Sequence, residues 1–362
     1  MSNTFPIEEL RSLLEKARAA DAELKQFGAE HHKYQWNPLA SLKEIEEFEQ
    51  ETGISLPDGY RNFLLQAGDG GAGPFYGLFS LAQVKGWLSW QVEPGETPYL
   101  APETDPDSLK DLGDRDHDWR RGCIPIESQG DTYFTYLLVA GPDRGRVVYI
   151  EYERSWIFFP REPDFLSWYT RWLREVAAGY DMGWFGIFLD GDEETLRKHY
   201  IQADTEDERL LTIDSMDKFP VLSDASCAFI REILGEWDAK EDVGSLPNLV
   251  YRTDPALYEQ FLEKRWETGL FDRVVYELYH TPADREELAV RWHERILEQL
   301  SKLSPETYCI AIPLLQIGGG VKLEQAAFLL DKAEGREKRD LLYDLGRFPD
   351  AKEHLEIWLD FL

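Results

Sequence analysis

Ser41-Leu42-Lys43-Glu44-Ile45-Glu46-Glu47-Phe48-Glu49, followed by Gly53-Ile54-Ser55-Leu56-Pro57-Asp58-Gly59-Tyr60-Arg61-Asn62-Phe63-Leu64, reads as two helices separated by a sharp stop. Ser41 and Glu44 stand at capping-box spacing, where the serine oxygen takes a helical amide and the glutamate reaches back to the serine amide. Leu42, Ile45 and Phe48 then fall on one face, and Gly53 ends the helix because glycine enters the left-handed conformation freely. Pro57 sits where a helix start tolerates a missing amide. Tyr60, Phe63, Leu64 and Ala67 form the apolar face of the second helix, which Gly68 closes.

On the N-terminal side, Ile7, Leu10, Leu14, Ala17 and Leu24 recur at helical spacing after Pro6. Glu8 and Glu9 lie in the first turn, where the helix dipole favours acids. A polar, aromatic connector from His31 to Pro38 follows. On the C-terminal side, Tyr76–Leu81 reads as a short extended segment, and Thr132–Val139 and Arg146–Glu153 are rich in aromatic and β-branched residues. Gly141-Pro142-Asp143-Arg144-Gly145 turns that pair into a hairpin. Trp156–Phe159 offers another strand. Phe165, Trp168, Tyr169, Trp172, Leu173 and Val176 then fall on one strongly aromatic helical face.

In this order the elements resemble the SUKH superfamily, which includes fungal Smi/Knr-type cell-wall regulators and many bacterial toxin-immunity proteins. The resemblance starts in the two helices quoted above. It continues through Gly77-Leu78-Phe79-Ser80-Leu81, Ile124-Pro125-Ile126, Gly130-Asp131, Gly145-Arg146-Val147-Val148-Tyr149-Ile150 and the Phe165–Trp172 helix, covering about residues 40–178. It implies an α+β fold, a mixed sheet flanked by helices. For bacterial members it implies immunity through direct binding of toxin domains, nucleases among them. It supplies no catalytic residue. The insert Lys85–Trp119 and the C-terminal half depart from the minimal family domain.

From Trp184 onward strand signals almost vanish, which predicts a SUKH-like domain over 1–182 and an all-α domain over 183–362. Aligning Pro220, Pro282 and Pro349 superposes Ile213, Val275 and Leu342, then Met216, Leu278 and Leu345. The spacing suggests a short solenoid-like array of degenerate helical-hairpin repeats, with an irregular bundle as the alternative.

The 362 residues carry 39 Lys+Arg against 69 Asp+Glu, a formal net charge of -30. Residues 1–182 hold 18 basic and 31 acidic side chains and residues 183–362 hold 21 and 38, so neither half hides a basic module. Such a surface repels nucleic acid and anionic membranes and steers basic proteins toward it, although solubility alone also accounts for an acidic composition. Cys123, Cys227 and Cys309 lie far apart in sequence and in odd number, so no disulfide framework or Cys-x-x-Cys metal site can be read. No basic n-region precedes an apolar stretch, and no apolar run reaches bilayer length, so cytoplasmic residence is the default expectation.

Gly68-Asp69-Gly70-Gly71-Ala72-Gly73 spells a dinucleotide fingerprint in the wrong context. A helix precedes it where a strand is needed, so a flexible helix-to-strand turn is expected. Asp114, Asp116 and Asp118 alternate as calcium ligands do, yet Trp119 and Pro125 occupy the positions that need Gly and Glu, leaving a solvated acidic loop. The histidines show no metal-binding pair, and no catalytic signature appears. No catalytic residue, cofactor or metal is therefore expected.

The resulting expectation is an immunity protein that neutralises a basic, nuclease-like toxin by direct binding. The alternatives are a non-enzymatic scaffold or regulatory module, and an enzyme with an unrecognised site. Because loops on a rigid sheet carry recognition, the candidate partner contacts are Asp69 in the glycine turn, Asp114, Asp116 and Asp118 in the insert, and Glu127 and Asp131 before the hairpin.

Overall fold

In the computed structural model, which describes residues 5–88, 100–102, 122–151, 156–280, 285–348 and 350–353, packing divides the chain into two compact units, Met1–Leu222 and Ser223–Leu362. The first begins with α1 (Ile7–Ala20), which buries Leu10, Leu14 and Ala17, and the short α2 (Ala29–His32). Helix α3 (Leu42–Thr52) starts on the expected capping box of Ser41 and Glu44 and ends at Gly53 with φ 71°. Ile45 and Phe48 are buried on it, whereas Leu42 is 51% exposed. Helix α4 (Asp58–Gln66) buries Tyr60, Phe63 and Leu64.

Tyr76–Leu81 does not form the expected strand. Leu78 makes only single bridges, to Gly71 and to Glu127, and Ser80 caps α5 (Leu81–Trp87) through a second capping box with Gln83. The Ser-x-x-Gln pattern wins because it satisfies the first amides of the helix locally.

Strands β1 (Cys123–Gly130), β2 (Tyr133–Leu138), β3 (Val147–Glu151) and β4 (Trp156–Phe158) pair in chain order. All three pairings are antiparallel, so the sheet is antiparallel and not mixed. Short hairpin turns suffice to join such neighbours, whereas a parallel pair would need a long crossover. Helix α6 (Phe165–Ala177) starts on Asp164 and buries all six residues of its predicted aromatic face. Both sheet faces are buried. Ile124, Ile126, Leu137, Val147 and Tyr149 join the helices in the main core, and Cys123, Phe134, Tyr136, Leu138, Val148 and Ile150 form a second cluster with Leu100.

The division into units falls at Leu222/Ser223 and not at 182/183, although strand patterning does end where expected. Helices α7 (Glu193–Gln202) and α8 (Glu206–Met216) belong with the sheet. A buried ionic network ties this segment to α6. Arg171 donates to Glu162 at 2.7 Å and to Glu175 at 3.2 Å, and Lys218 Nζ donates to Glu175 at 2.8 Å and to the Leu189 carbonyl at 2.7 Å. Asp181 N donates to the Lys218 carbonyl and Leu189 N to Ser215 Oγ, closing the same junction.

The second unit is helical: α9 (Asp224–Trp237), α10 (Leu246–Thr253), α11 (Pro255–Glu267), α12 (Phe271–His280), α13 (Arg285–Gln299), α14 (Pro305–Gly318), α15 (Leu323–Ala326) and α16 (Gly335–Leu345). Helix α12 packs on α14 as well as on α13, and α14 packs in turn on α16. Trp266 of α11 meets Trp292 of α13 at 5.5 Å, beside the Arg295–Glu263 pair. Ile213, Val275, Met216, Leu278 and Leu345 are buried, and Leu342 is half-buried. Ile213 and Met216 belong to the first unit, and Pro282 and Pro349 lie outside the described residues.

Candidate functional site

The glycine-rich loop is pinned, not flexible. Asn37 N donates to the Gly70 carbonyl, Ala72 N donates to the Gln35 carbonyl, and Gly71 and Leu78 exchange both backbone bonds. A Cβ on Gly71 would stand 2.6 Å from the Gln35 carbonyl oxygen, and one on Gly70 would stand 2.6 Å from that of Leu78. These glycines serve close approach of backbone to backbone.

This loop lies over a buried acid. In β1 the register shifts between Pro125 and Glu127, so that Glu127 pairs with Thr135. A bulge of this kind re-aims a side chain. Here it turns Glu127 toward the face that carries Ile126, Thr135 and Tyr149, under Gly73, whose Cβ would stand 3.3 Å from Glu127 Oε1. Oε2 accepts a hydrogen bond from Thr135 Oγ1 at 2.9 Å, and Oε1 has no partner among the described residues. Burial pushes the Glu127 carboxyl well above its ordinary range, and the Thr135 bond only partly offsets that. Glu127 is therefore a strand residue sealed in the core, which corrects its expected place in a partner-facing loop.

A carboxyl kept neutral by folding contributes stability that is complete below its unfolded pKa. That stability is lost as pH rises toward the folded value. Glu127→Gln, neutral at every pH, is expected to raise the melting temperature at pH 8 relative to the parent by more than it does at pH 4.5. Equal shifts at the two pH values would show that Glu127 is ionised in the fold.

Asp69 is half-buried, and its Oδ1 accepts the Leu81 amide at 2.8 Å, so it fastens the start of α5 to the loop. Burial raises its carboxyl pKa, an effect partly offset by that amide. Asp131 is exposed at the β1–β2 hairpin tip with φ 49°. Asp114, Asp116 and Asp118 lie outside the described residues. The structure thus does not bring the six expected contacts together, and Asp131 is the one described among them that is exposed.

Around that tip stands a group of aromatic residues. Tyr76 Cε2 lies 2.9 Å from where a Cβ on Gly130 would be, and its ring meets those of Phe27 at 5.1 Å and His31 at 4.7 Å. Phe27 is 51% exposed. Leu24, Lys33, Tyr34, Phe75 and Asp131 all have φ between 47° and 55°. Each such residue costs on the order of 1–3 kcal/mol and persists only where packing imposes it. Tyr34 is held by its hydroxyl bond to Asp21 at 2.7 Å and by stacking on Trp172. Next to it, buried His32 accepts the Tyr34 amide on Nδ1, and burial lowers its pKa to about 4, so the ring is neutral.

Chemically the two features differ. The enclosed Glu127 cannot meet a substrate, whereas an exposed aromatic cluster with a neighbouring carboxylate suits a protein contact. The aromatic connector His31–Pro38 was a visible signal in the sequence, but its convergence with Phe27, Tyr76 and the hairpin tip depends on tertiary packing. Among the described residues no group of three or more His, Cys, Asp or Glu could hold a metal ion, and no helix is long and apolar enough to cross a membrane.

Comparison with the curated proteins and with the solved structures gives no match. Residues 39–171 match the model of the SMI1 / KNR4 family (SUKH-1), a span that runs from the residues just before α3 into α6 and takes in the glycine loop, β1–β4 and the hairpin tip. Residues 39–171, which hold the helix pair and the antiparallel meander, thus form a SUKH domain, and the match supports membership of the SUKH superfamily.

Proposed function

We propose that the chain is a non-catalytic immunity protein that neutralises a basic, nuclease-like toxin in the cytoplasm by occupying it. The SUKH-1 match carries this reading, because membership of that family supports a protein partner. The charge is consistent with it: 22 Lys+Arg stand against 41 Asp+Glu through Leu222, and 17 against 28 after it, so both units are acidic. Such a surface accelerates encounter with a cationic toxin and matches the potential of a phosphate-binding cleft. The contact edge in this proposal is the hairpin tip with Asp131, Phe27, His31 and Tyr76. No nucleic acid, membrane or cofactor takes part.

The test is co-expression with basic nuclease toxin domains, beginning with any that a neighbouring gene for a large secreted protein encodes. The chain is expected to restore growth and to co-purify with the toxin as a stable complex. Phe27→Ala combined with Asp131→Asn is expected to weaken rescue without changing the melting temperature. Unimpaired toxicity in the presence of folded chain would overturn the immunity reading, and stable binding to a cellular protein in its place would favour the scaffold alternative.

A further inference from the structure

We propose that the pocket beside strand β4 binds a carboxylate carried next to a flat apolar group. The pocket has a volume of about 500 Å³ and is lined by Pro102, Arg146, Ile157, Phe158, Phe159 and Arg161. This is within the size range of small-ligand sites, roughly 300–1,000 Å³. Its walls combine four apolar residues with two guanidinium groups, an unusual pairing on a chain with a net charge of -30.

The two arginines are not equivalent. Arg146 is held in place: its guanidinium lies 5.6 Å from the Phe159 ring centroid, its Nη2 donates to the Pro160 carbonyl at 3.2 Å, and Asp143 stands 3.5 Å from its Nη1. Its Nε is buried and has no hydrogen-bond partner among the described residues. Arg161 follows Pro160 directly, so the same carbonyl bond fixes the backbone from which it projects. Arg161 is exposed, and no carboxylate among the described residues pairs with it. Asp143 compensates much of the Arg146 charge, which leaves Arg161 as the cation open to a ligand among the described residues that line the pocket.

The lining also selects the type of anion. Guanidinium forks match carboxylate and phosphate alike. Inorganic phosphate, however, would leave Ile157, Phe158, Phe159 and Pro102 facing water, whereas an aryl or alkyl carboxylate covers them and gains about 25 cal/mol for each Å² of apolar surface removed from water. The carboxylate could belong to a free small acid or to an acidic residue beside an apolar one in a peptide. The chemistry at Arg161 is the same for both.

Calorimetry and amide chemical shifts of Ile157 and Phe159 in the intact chain test the site with four probes: phenylacetate, phenylacetamide, the peptide acetyl-Glu-Phe-amide and inorganic phosphate. A carboxylate probe is expected to bind with Kd of about 1 mM or tighter, and the neutral amide about tenfold more weakly. The tighter of phenylacetate and the peptide identifies the source. Arg161→Gln is expected to weaken the carboxylate probe about tenfold at unchanged melting temperature, with Arg161→Lys intermediate. Equal binding of acid and amide, an Arg161→Gln variant that binds like the parent, tighter binding of phosphate than of either carboxylate, or no binding of either carboxylate at about 10 mM would each overturn the proposal.

Discussion

Replacing Arg171 with Met is expected to destabilise the first unit by about 3–5 kcal/mol, the usual cost of removing one partner from a buried ion pair. Arg171 is 2% exposed and reaches Glu162, Glu175 and the Phe188 carbonyl at once, with its guanidinium over the Phe185 ring. Without it, Glu175 keeps only Lys218 as a cation among the described residues, and the Glu162 carboxylate loses the donor 2.7 Å away. The loss should show in hydrogen exchange as faster opening of residues 181–222 along with α6, since the network joins them. Adding Glu162→Gln to Arg171→Met should recover part of the loss, because it removes one of the carboxylates left unpaired. A destabilisation below about 1 kcal/mol, the range of exposed pairs, would mean that the network is solvated and does not bind that segment to the sheet.

Trp168→Ala is expected to lose a similar amount, about 3–5 kcal/mol, by a different route. The indole is fully buried between the sheet and the helices, in contact with the rings of Phe165 and Phe185, and its Nε1 donates to Tyr149 Oη at 2.9 Å. Truncation leaves a cavity and also takes the indole donor from a buried tyrosine oxygen. Trp168→Phe keeps much of the volume and lacks the donor, so its cost should fall nearer the 1–3 kcal/mol range typical of a buried group left unsatisfied. Denaturant titration followed by amide exchange of β2 and β3 separates this loss from unfolding of the second unit. If Trp168→Ala were as stable as the parent, the aromatic face of α6 would not be a core element.

What the sequence made legible was local. The Ser41–Glu44 box, the Gly53 stop and the spacing of aromatics from Phe165 to Val176 encode structure within one or two helical turns, and each appears where expected. The Ser80–Gln83 box was equally local but was masked by the aromatic, extended look of Tyr76–Phe79. Strand β1 was harder to read, because Pro125 and the bulge before Glu127 interrupt alternation. An acid in such a stretch looks like a loop residue until tertiary packing encloses it. Lys218 and Glu175 lie 43 positions apart, and no period or motif relates an ion pair at that distance. The boundary misplacement follows from this. Composition changes near 180–184, whereas buried charges keep residues up to Leu222 with the sheet. Asp131 was read as a loop acid before the hairpin, and the fold places it exposed at the β1–β2 tip. Its aromatic neighbours come from Phe27, His31 and Tyr76, which only the fold brings together.

The most direct test of the proposed neutralisation by binding is the association rate of the intact chain with a basic nuclease toxin domain, measured across a range of ionic strengths. With the acidic surface steering encounter, the rate should fall steeply as salt is added, and Asp131→Asn should slow association more than it speeds dissociation. An association rate that does not change with ionic strength, or full binding by residues 223–362 without the SUKH domain, would contradict it.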